Sequence, residues 1–161
     1  MFENSIIVRN SRIHGRGVFA KRRIPKGREI IRYKGRLITN EEADAQGPDD
    51  GHTFLFILND DWVIDATHGG NEARWINHSC KPNCIAYMHE SNSQDRRRDK
   101  VIIESLRDIA PGEELGYDYK IVADGPTTPL EQKLWACHCG AKACRGSMIW
   151  RPRKKKRKLR S

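Results

Sequence analysis

Absences narrow this 161-residue sequence first. No apolar run approaches the ~18 residues that a bilayer span requires, and the N-terminus has no apolar core of the kind a signal peptide carries. Neither membrane insertion nor secretion through a signal peptide is expected. There is no internal repeat, and the one biased stretch is at the C-terminal end. Helical periodicity is scarce. Cysteines number only five, and in the reducing cytosol that the missing leader implies they read as metal ligands or free thiols, not disulfides.

Charge is plentiful but localised. Residues 151–160 (RPRKKKRKLR), from Arg151 to Arg160, hold eight basic groups and no acidic one. Subtracting them from the net charge of +9 leaves +1, so the rest of the chain is not expected to be a basic platform. The tail, residues 151–161, is expected to be disordered. It reads as a solvated terminus, a nuclear-localisation-type signal, or a contact for nucleic acid or acidic protein surfaces.

Short apolar runs dominate the remainder: SIIVRN, GVFAKRRI, REIIRYKGRLI, TFLFIL, DWVIDAT, CIAYMH, KVIIESLRDI and EELGYDY. They are rich in Ile, Val and aromatics and are separated by turn signals such as Pro25-Lys26-Gly27, Gly47-Pro48-Asp49-Asp50 and Pro111-Gly112, which is strand chemistry. Short helices are expected after Thr39, around residues 71–75, and from Thr128 with Pro129 at the first position. The fold class is mostly β. The polar stretch 89–100 is expected to be a hairpin with a solvated, flexible tip.

Cys137, Cys139 and Cys144 form a C-x-C-x4-C pattern, three thiols able to converge on one zinc ion. His138 lies between two of them and would point away, so the fourth ligand comes from Cys80 or Cys84; the thiol left over is expected to be a small buried hydrophobe. Open coordination with a nearby glutamate, which zinc hydrolysis or deamination needs, is not offered.

Two glycines straddle Arg16 in His14-Gly15-Arg16-Gly17, where backbone can approach a ligand closely. Asn77-His78-Ser79-Cys80-Lys81-Pro82-Asn83-Cys84 packs an amide, an imidazole and a thiol into four positions. Gly112-Glu113-Glu114-Leu115-Gly116-Tyr117-Asp118-Tyr119 sets two tyrosines on one side of a strand.

With Ile31-Arg32-Tyr33-Lys34-Gly35, Val63-Ile64-Asp65-Ala66-Thr67 and the C-terminal cysteine segment, these motifs resemble, in order, the SET family of protein lysine methyltransferases with a zinc-binding post-SET extension. The resemblance covers roughly residues 5–150. It implies the SET fold over 5–122, with several small β-sheets and a pseudoknot at the active site, and a post-SET segment over 123–150. It implies S-adenosylmethionine as methyl donor, with His14, Gly15, Arg16 and Gly17 holding its methionine end. Asn77 and His78 would take the adenine and amino group, partly through backbone atoms, and His138 would reach the cofactor as the post-SET segment closes. Cys80, with Cys137, Cys139 and Cys144, matches the zinc ligands. Tyr119 matches the tyrosine at the methyl-transfer pore, and Tyr33 and Tyr117 would line the lysine channel. Phe54 stands where many relatives have a tyrosine near cofactor or channel.

The resemblance further implies a lysine-bearing protein or peptide substrate, histone tails foremost, and mainly mono- or dimethylation, since the Tyr117 hydroxyl crowds the amine. The setting is cytoplasm or nucleus and chromatin, a host nucleus for a bacterial effector. The rival expectation is a non-catalytic zinc-stapled module docking on chromatin or nucleic acid through the tail. Acidic residues Glu41, Glu42, Asp44, Asp49 and Asp50 could attract a basic peptide. Oligomeric state is left open.

Overall fold

A computed structural model describes residues 1–46, 54–123 and 125–151. The expected turn at 47–50 and nearly all of the basic tail lie outside the described residues.

Among the described residues, ten short strands form four small sheets. β1 (Ile6–Asn10) and β2 (Arg16–Ala20) pair antiparallel across the turn at residues 11–15, which leads into Arg16 and Gly17. β3 (Glu29–Tyr33), β9 (Lys100–Ser105) and β8 (Cys84–His89) form a second sheet in that order. β4 (Arg36–Thr39), β6 (Trp62–Asp65) and β5 (Leu55–Ile57) form a third. The fourth is a two-residue parallel pairing of β7 (Asn77–His78) with β10 (Gly116–Tyr117). Mostly β was the expectation, and mostly β is found.

Residue choice explains the layout. β9 is the central strand of its sheet, and Val101, Ile102 and Ile103 are all buried, the unbroken apolar run of a strand covered on both faces. In β3 the register shifts between Glu29 and Ile31, so Ile30 and Ile31 are both buried despite being neighbours. The single run REIIRYKGRLI splits: β3 joins β9, while β4 joins β6. Gly35 makes the split possible, because a Cβ there would lie 2.5 Å from the Asp65 carbonyl oxygen. Val18, Ile24, Ile76, Ile109 and Leu115 join Ile30, Ile31, Val101 and Ile103 in one core.

Both helices, α1 (Asn40–Ala45) and α2 (Pro129–Leu134), open on capping boxes, with Thr39 paired to Glu42 and Thr128 to Glu131. A 3-10 turn over Glu72–Trp75 occupies the second expected helical position. The tip between β8 and β9 closes the expected hairpin and is largely exposed, and it is organised around buried Asp99. That carboxylate accepts from Ser91 N–H (2.9 Å), Asn59 (2.9 Å) and Arg96 (2.8 Å). Two of the three arginines are held in local ion pairs, Arg96 with Asp99 and Arg97 with Asp95.

Candidate active site

The β7–β10 pairing brings the two motif-rich segments together. Glycine is needed at 116, where a Cβ would meet Ser79 Cβ at 2.9 Å. Asn83 then stitches the segments, accepting from Gly116 N–H at 2.9 Å and donating to Glu114 carbonyl at 2.8 Å. The strand ends at Tyr117, so Tyr119 is placed by hydrogen bonds instead. Its N–H donates to Nδ1 of His78 (3.1 Å), and its hydroxyl donates to the Ile76 carbonyl (2.6 Å).

An aromatic wall follows. The Tyr117 ring is 4.9 Å from Tyr119 and 6.2 Å from Phe56, which lies 5.1 Å from Tyr33. Tyr33 donates to the Phe54 carbonyl at 3.1 Å. The Tyr117 hydroxyl has no hydrogen-bond partner among the described residues. Burial pushes all three phenols above their ordinary range, so each stays protonated.

On the opposite side stands the 14–17 loop. Asn77 Nδ2 donates to the carbonyls of His14 (3.3 Å) and Arg16 (2.9 Å) and to Glu114 Oε1 (2.9 Å). Glu114 also accepts from Ser11 Oγ at 2.8 Å. Gly17 is packed behind the loop, where a Cβ would come within 2.2 Å of Glu114 Oε1; Gly15 has φ +41°. The Trp75 ring lies under two guanidinium groups, Arg16 at 5.0 Å and Arg74 at 4.7 Å, and Phe54 meets its edge at 5.0 Å.

These walls enclose a cavity of about 1020 Å³, at the upper end of small-molecule sites. His14, Gly15, Arg16, Tyr33, Phe54, Asn77, His78, Tyr117, Tyr119 and His138 all line it; Gly17 does not. Arg74 lines it too, with its Nε buried and unpartnered among the described residues. Such a space suits a nucleotide-sized ligand together with an extended side chain.

The cysteines resolve as two kinds. Cys80, Cys137, Cys139 and Cys144 bring their sulfurs within 4.8 Å of one another, a cluster that could hold a metal ion. Cys80 Sγ is 3.6 Å from Cys137 Sγ and 3.9 Å from Cys144 Sγ. Burial pushes the Cys137 thiol up. At Cys139 burial is outweighed by backbone N–H donors, lowering the thiol to about 7. Cys84 is fully buried, its thiol raised to about 12 by burial, and is the leftover apolar residue.

His78 joins the two centres. Burial holds its imidazole down to about 4, so it is neutral; Nδ1 accepts from Tyr119, which leaves the proton on Nε2, 3.4 Å from Cys80 Sγ.

Four residues carry roles that the sequence did not assign them. Glu114 braces the loop, and Trp75 and Arg74 wall the cavity. Arg145 grips Asp118 through two bonds of 2.6 and 2.9 Å, tying the cysteine segment to the tyrosine segment. Glu114 was at least signalled by its place inside the Gly-Glu-Glu-Leu motif; the other pairings join distant positions and carry no local pattern.

Comparison with known proteins agrees with this geometry. The family model for the SET domain matches residues 15–120. Over 141 residues, 84% of this chain, it is 40% identical to a fission yeast (Schizosaccharomyces pombe) protein named histone-lysine N-methyltransferase, H3 lysine-4 specific, of which it covers 14%. It is 40% identical over 148 residues to human histone-lysine N-methyltransferase 2B and 36% identical to Drosophila melanogaster histone-lysine N-methyltransferase trithorax. In both cases 89% of this chain is matched, but only 5% and 4% of those much longer proteins. With the matched segment spanning the turn at Gly15, the β7–β10 pairing and Tyr119, the chain belongs to the SET domain family.

Proposed function

We propose that this chain is an S-adenosylmethionine-dependent protein lysine N-methyltransferase that acts on histone tails and mainly mono- or dimethylates. The observation that carries the proposal is the convergence of Tyr33, Tyr117 and Tyr119 on the same cavity as the 14–17 loop.

The cofactor fits the residues present. Loop 14–17 would hold its methionine end, Phe54 and Trp75 supply apolar wall, and His138 stands at the rim. Asn77 has committed its amide nitrogen to the loop, leaving Oδ1, an acceptor suited to an ammonium. Both ring nitrogens of His78 are engaged, so His78 would contact the cofactor through backbone. Bound there, S-adenosylmethionine would supply an electrophilic methyl on a sulfonium.

The chain's own part is alignment and desolvation. Tyr33, Phe56 and Tyr117 strip water from an entering lysine, and their neutral rings and phenols offer an ammonium no counter-charge, which favours the amine whose lone pair is needed. Tyr119 gives its proton to the Ile76 carbonyl, so only oxygen lone pairs face the cavity. That polarity stabilises a methyl group bearing positive charge. No acid–base dyad or nucleophilic cysteine takes part.

The four thiols fit zinc. A tetrahedral centre with zinc–sulfur bonds of about 2.3 Å sets sulfurs about 3.8 Å apart, against 3.6 and 3.9 Å here. Residues 5–122 are then the SET domain and 123–150 a post-SET segment. The relatives' names support a histone substrate and, with it, a setting at chromatin, where the basic tail would contact nucleosomal nucleic acid. No helix among the described residues is long and apolar enough to cross a membrane.

Incubation of the chain with labelled S-adenosylmethionine and histone H3 tail peptide should place label on a lysine, and Tyr119→Phe should remove it. Absence of transfer to any histone or lysate protein would reject the reading.

A further inference from the structure

The cavity mouth lies beside the point where the chain runs into its lysine-rich tail. Trp150 N–H donates to the Ile121 carbonyl at 2.7 Å, and Ile121 is two residues past Tyr119. Arg151 Nη2 donates to Thr127 Oγ1 at 3.0 Å, just ahead of α2. Ile121, Val122 and Leu130 all line the cavity. The last described residue is therefore anchored at the rim.

Resting on the methyltransferase reading, we propose that the enzyme methylates its own tail in cis, at the lysines among residues 154–158, with Lys158 foremost. At about 3.4 Å per residue at most, Lys154 lies within some 10 Å of Arg151 and Lys158 within some 24 Å, so Lys158 has the longest reach from the anchored residue. A tether this short gives a local concentration on the order of millimolar, at or above typical substrate KM values of about 1 μM to 1 mM.

The chemistry of the rim agrees. Ile57 and Val122, each 73% exposed, and Leu130, 66% exposed, place large apolar side chains around the mouth. Leu159, next to Lys158, is the only large apolar residue after Trp150 and gives this rim something to hold. Lys120 and Lys133 oppose the approach as cations at the mouth. Both are solvent-exposed, where such repulsion is weak and screened by salt. Both are also fixed parts of the cavity wall, so neither can enter as substrate.

The step balances simply. The lysine ammonium loses a proton to water, its nitrogen lone pair forms the N–C bond as the S–C bond breaks, and the sulfonium leaves as a thioether.

The test is mass spectrometry of the full chain incubated with S-adenosylmethionine alone, over a 100-fold dilution series. Residues 132–161 contain no acidic residue, so cleavage after Glu131 releases the tail in one peptide. Methyl groups on the tail lysines, most on Lys158, at a first-order rate unchanged by dilution would support the inference. Lys154, Lys155, Lys156 and Lys158 all changed to Arg should abolish this signal while histone peptide is still methylated. An unmodified tail beside an efficiently methylated peptide, or a rate falling in proportion to concentration, overturns it. Failure to methylate either tail or peptide overturns the methyltransferase reading itself.

Discussion

The backbone N–H of Tyr119 donates to Nδ1 of His78 at 3.1 Å, and that bond directs the other ring nitrogen at Cys80 Sγ, 3.4 Å away. One neutral imidazole thus couples Tyr119 to the thiol cluster. Support of this kind around a metal-bound ligand is worth about 10- to 100-fold in metal affinity. His78→Ala should weaken zinc retention by that factor in chelator competition and lower methyl transfer alongside it. Zinc binding equal to the parent would remove the imidazole from the metal site.

Tyr117 makes a separate prediction. Its hydroxyl has no partner among the described residues, so it can hold a water beside the amine and limit the room there. Tyr117→Phe should shift products from mono- toward di- and trimethyl-lysine. An unchanged distribution in mass spectra of the two enzymes would reject this role.

Two glycines should respond differently to a methyl group. At Gly35 an added Cβ meets backbone, the Asp65 carbonyl at 2.5 Å and Ala66 Cα at 2.8 Å, so Gly35→Ala should cost stability, about 2–4 kcal/mol in denaturant unfolding. At Gly17 the collision is with the Glu114 carboxylate, which can swing away. Gly17→Ala should leave stability within about 1 kcal/mol but release Asn77 and Ser11, lowering affinity for S-adenosylmethionine on the order of 10-fold by calorimetry.

Acid stability should trace partly to Glu113. Its ion pair with Arg107, working against burial and helped by Ala110 N–H and Asn83, lowers its carboxyl from 4.5 to about 2. A folded-state value below the unfolded one means stability that is present above about pH 4.5 and lost as pH falls toward 2. Glu113→Gln should flatten the fall of the thermal midpoint across that window. A slope identical to the parent would assign the acid sensitivity elsewhere.

Local chemistry was what the sequence displayed well. Thr39 and Thr128 announced α1 and α2 through side chains that bond within three residues, and the cysteine spacing announced a thiol cluster that could hold a metal ion. Choosing Cys80 over Cys84 required the resemblance, because both lie near the same motif and only the fold buries one of them. The break at Gly35 was hidden, since a continuous apolar run gives no sign of changing sheets. Tyr119 was expected on a strand and lies just past its end, held by His78 and Ile76 from another part of the chain. Asn77 was read as a ligand contact, yet its amide nitrogen is spent on the loop it supports. The hairpin over 89–100 was legible from its polar tip, whereas the hydrogen bonds that buried Asp99 accepts there from Ser91, Asn59 and Arg96 were not.

The β7–β10 pairing and the thiol cluster also govern the order of assembly. Tyr119 and His78 are 41 residues apart, and Cys144 and Cys80 are 64 apart. Contacts so remote in sequence cannot reward the chain until long loops have closed. During synthesis the strands built from the first hundred residues can pair early, while the reactive chamber waits for Cys144 to emerge. A translation product stopped short of that cysteine would have most of a core and no catalyst.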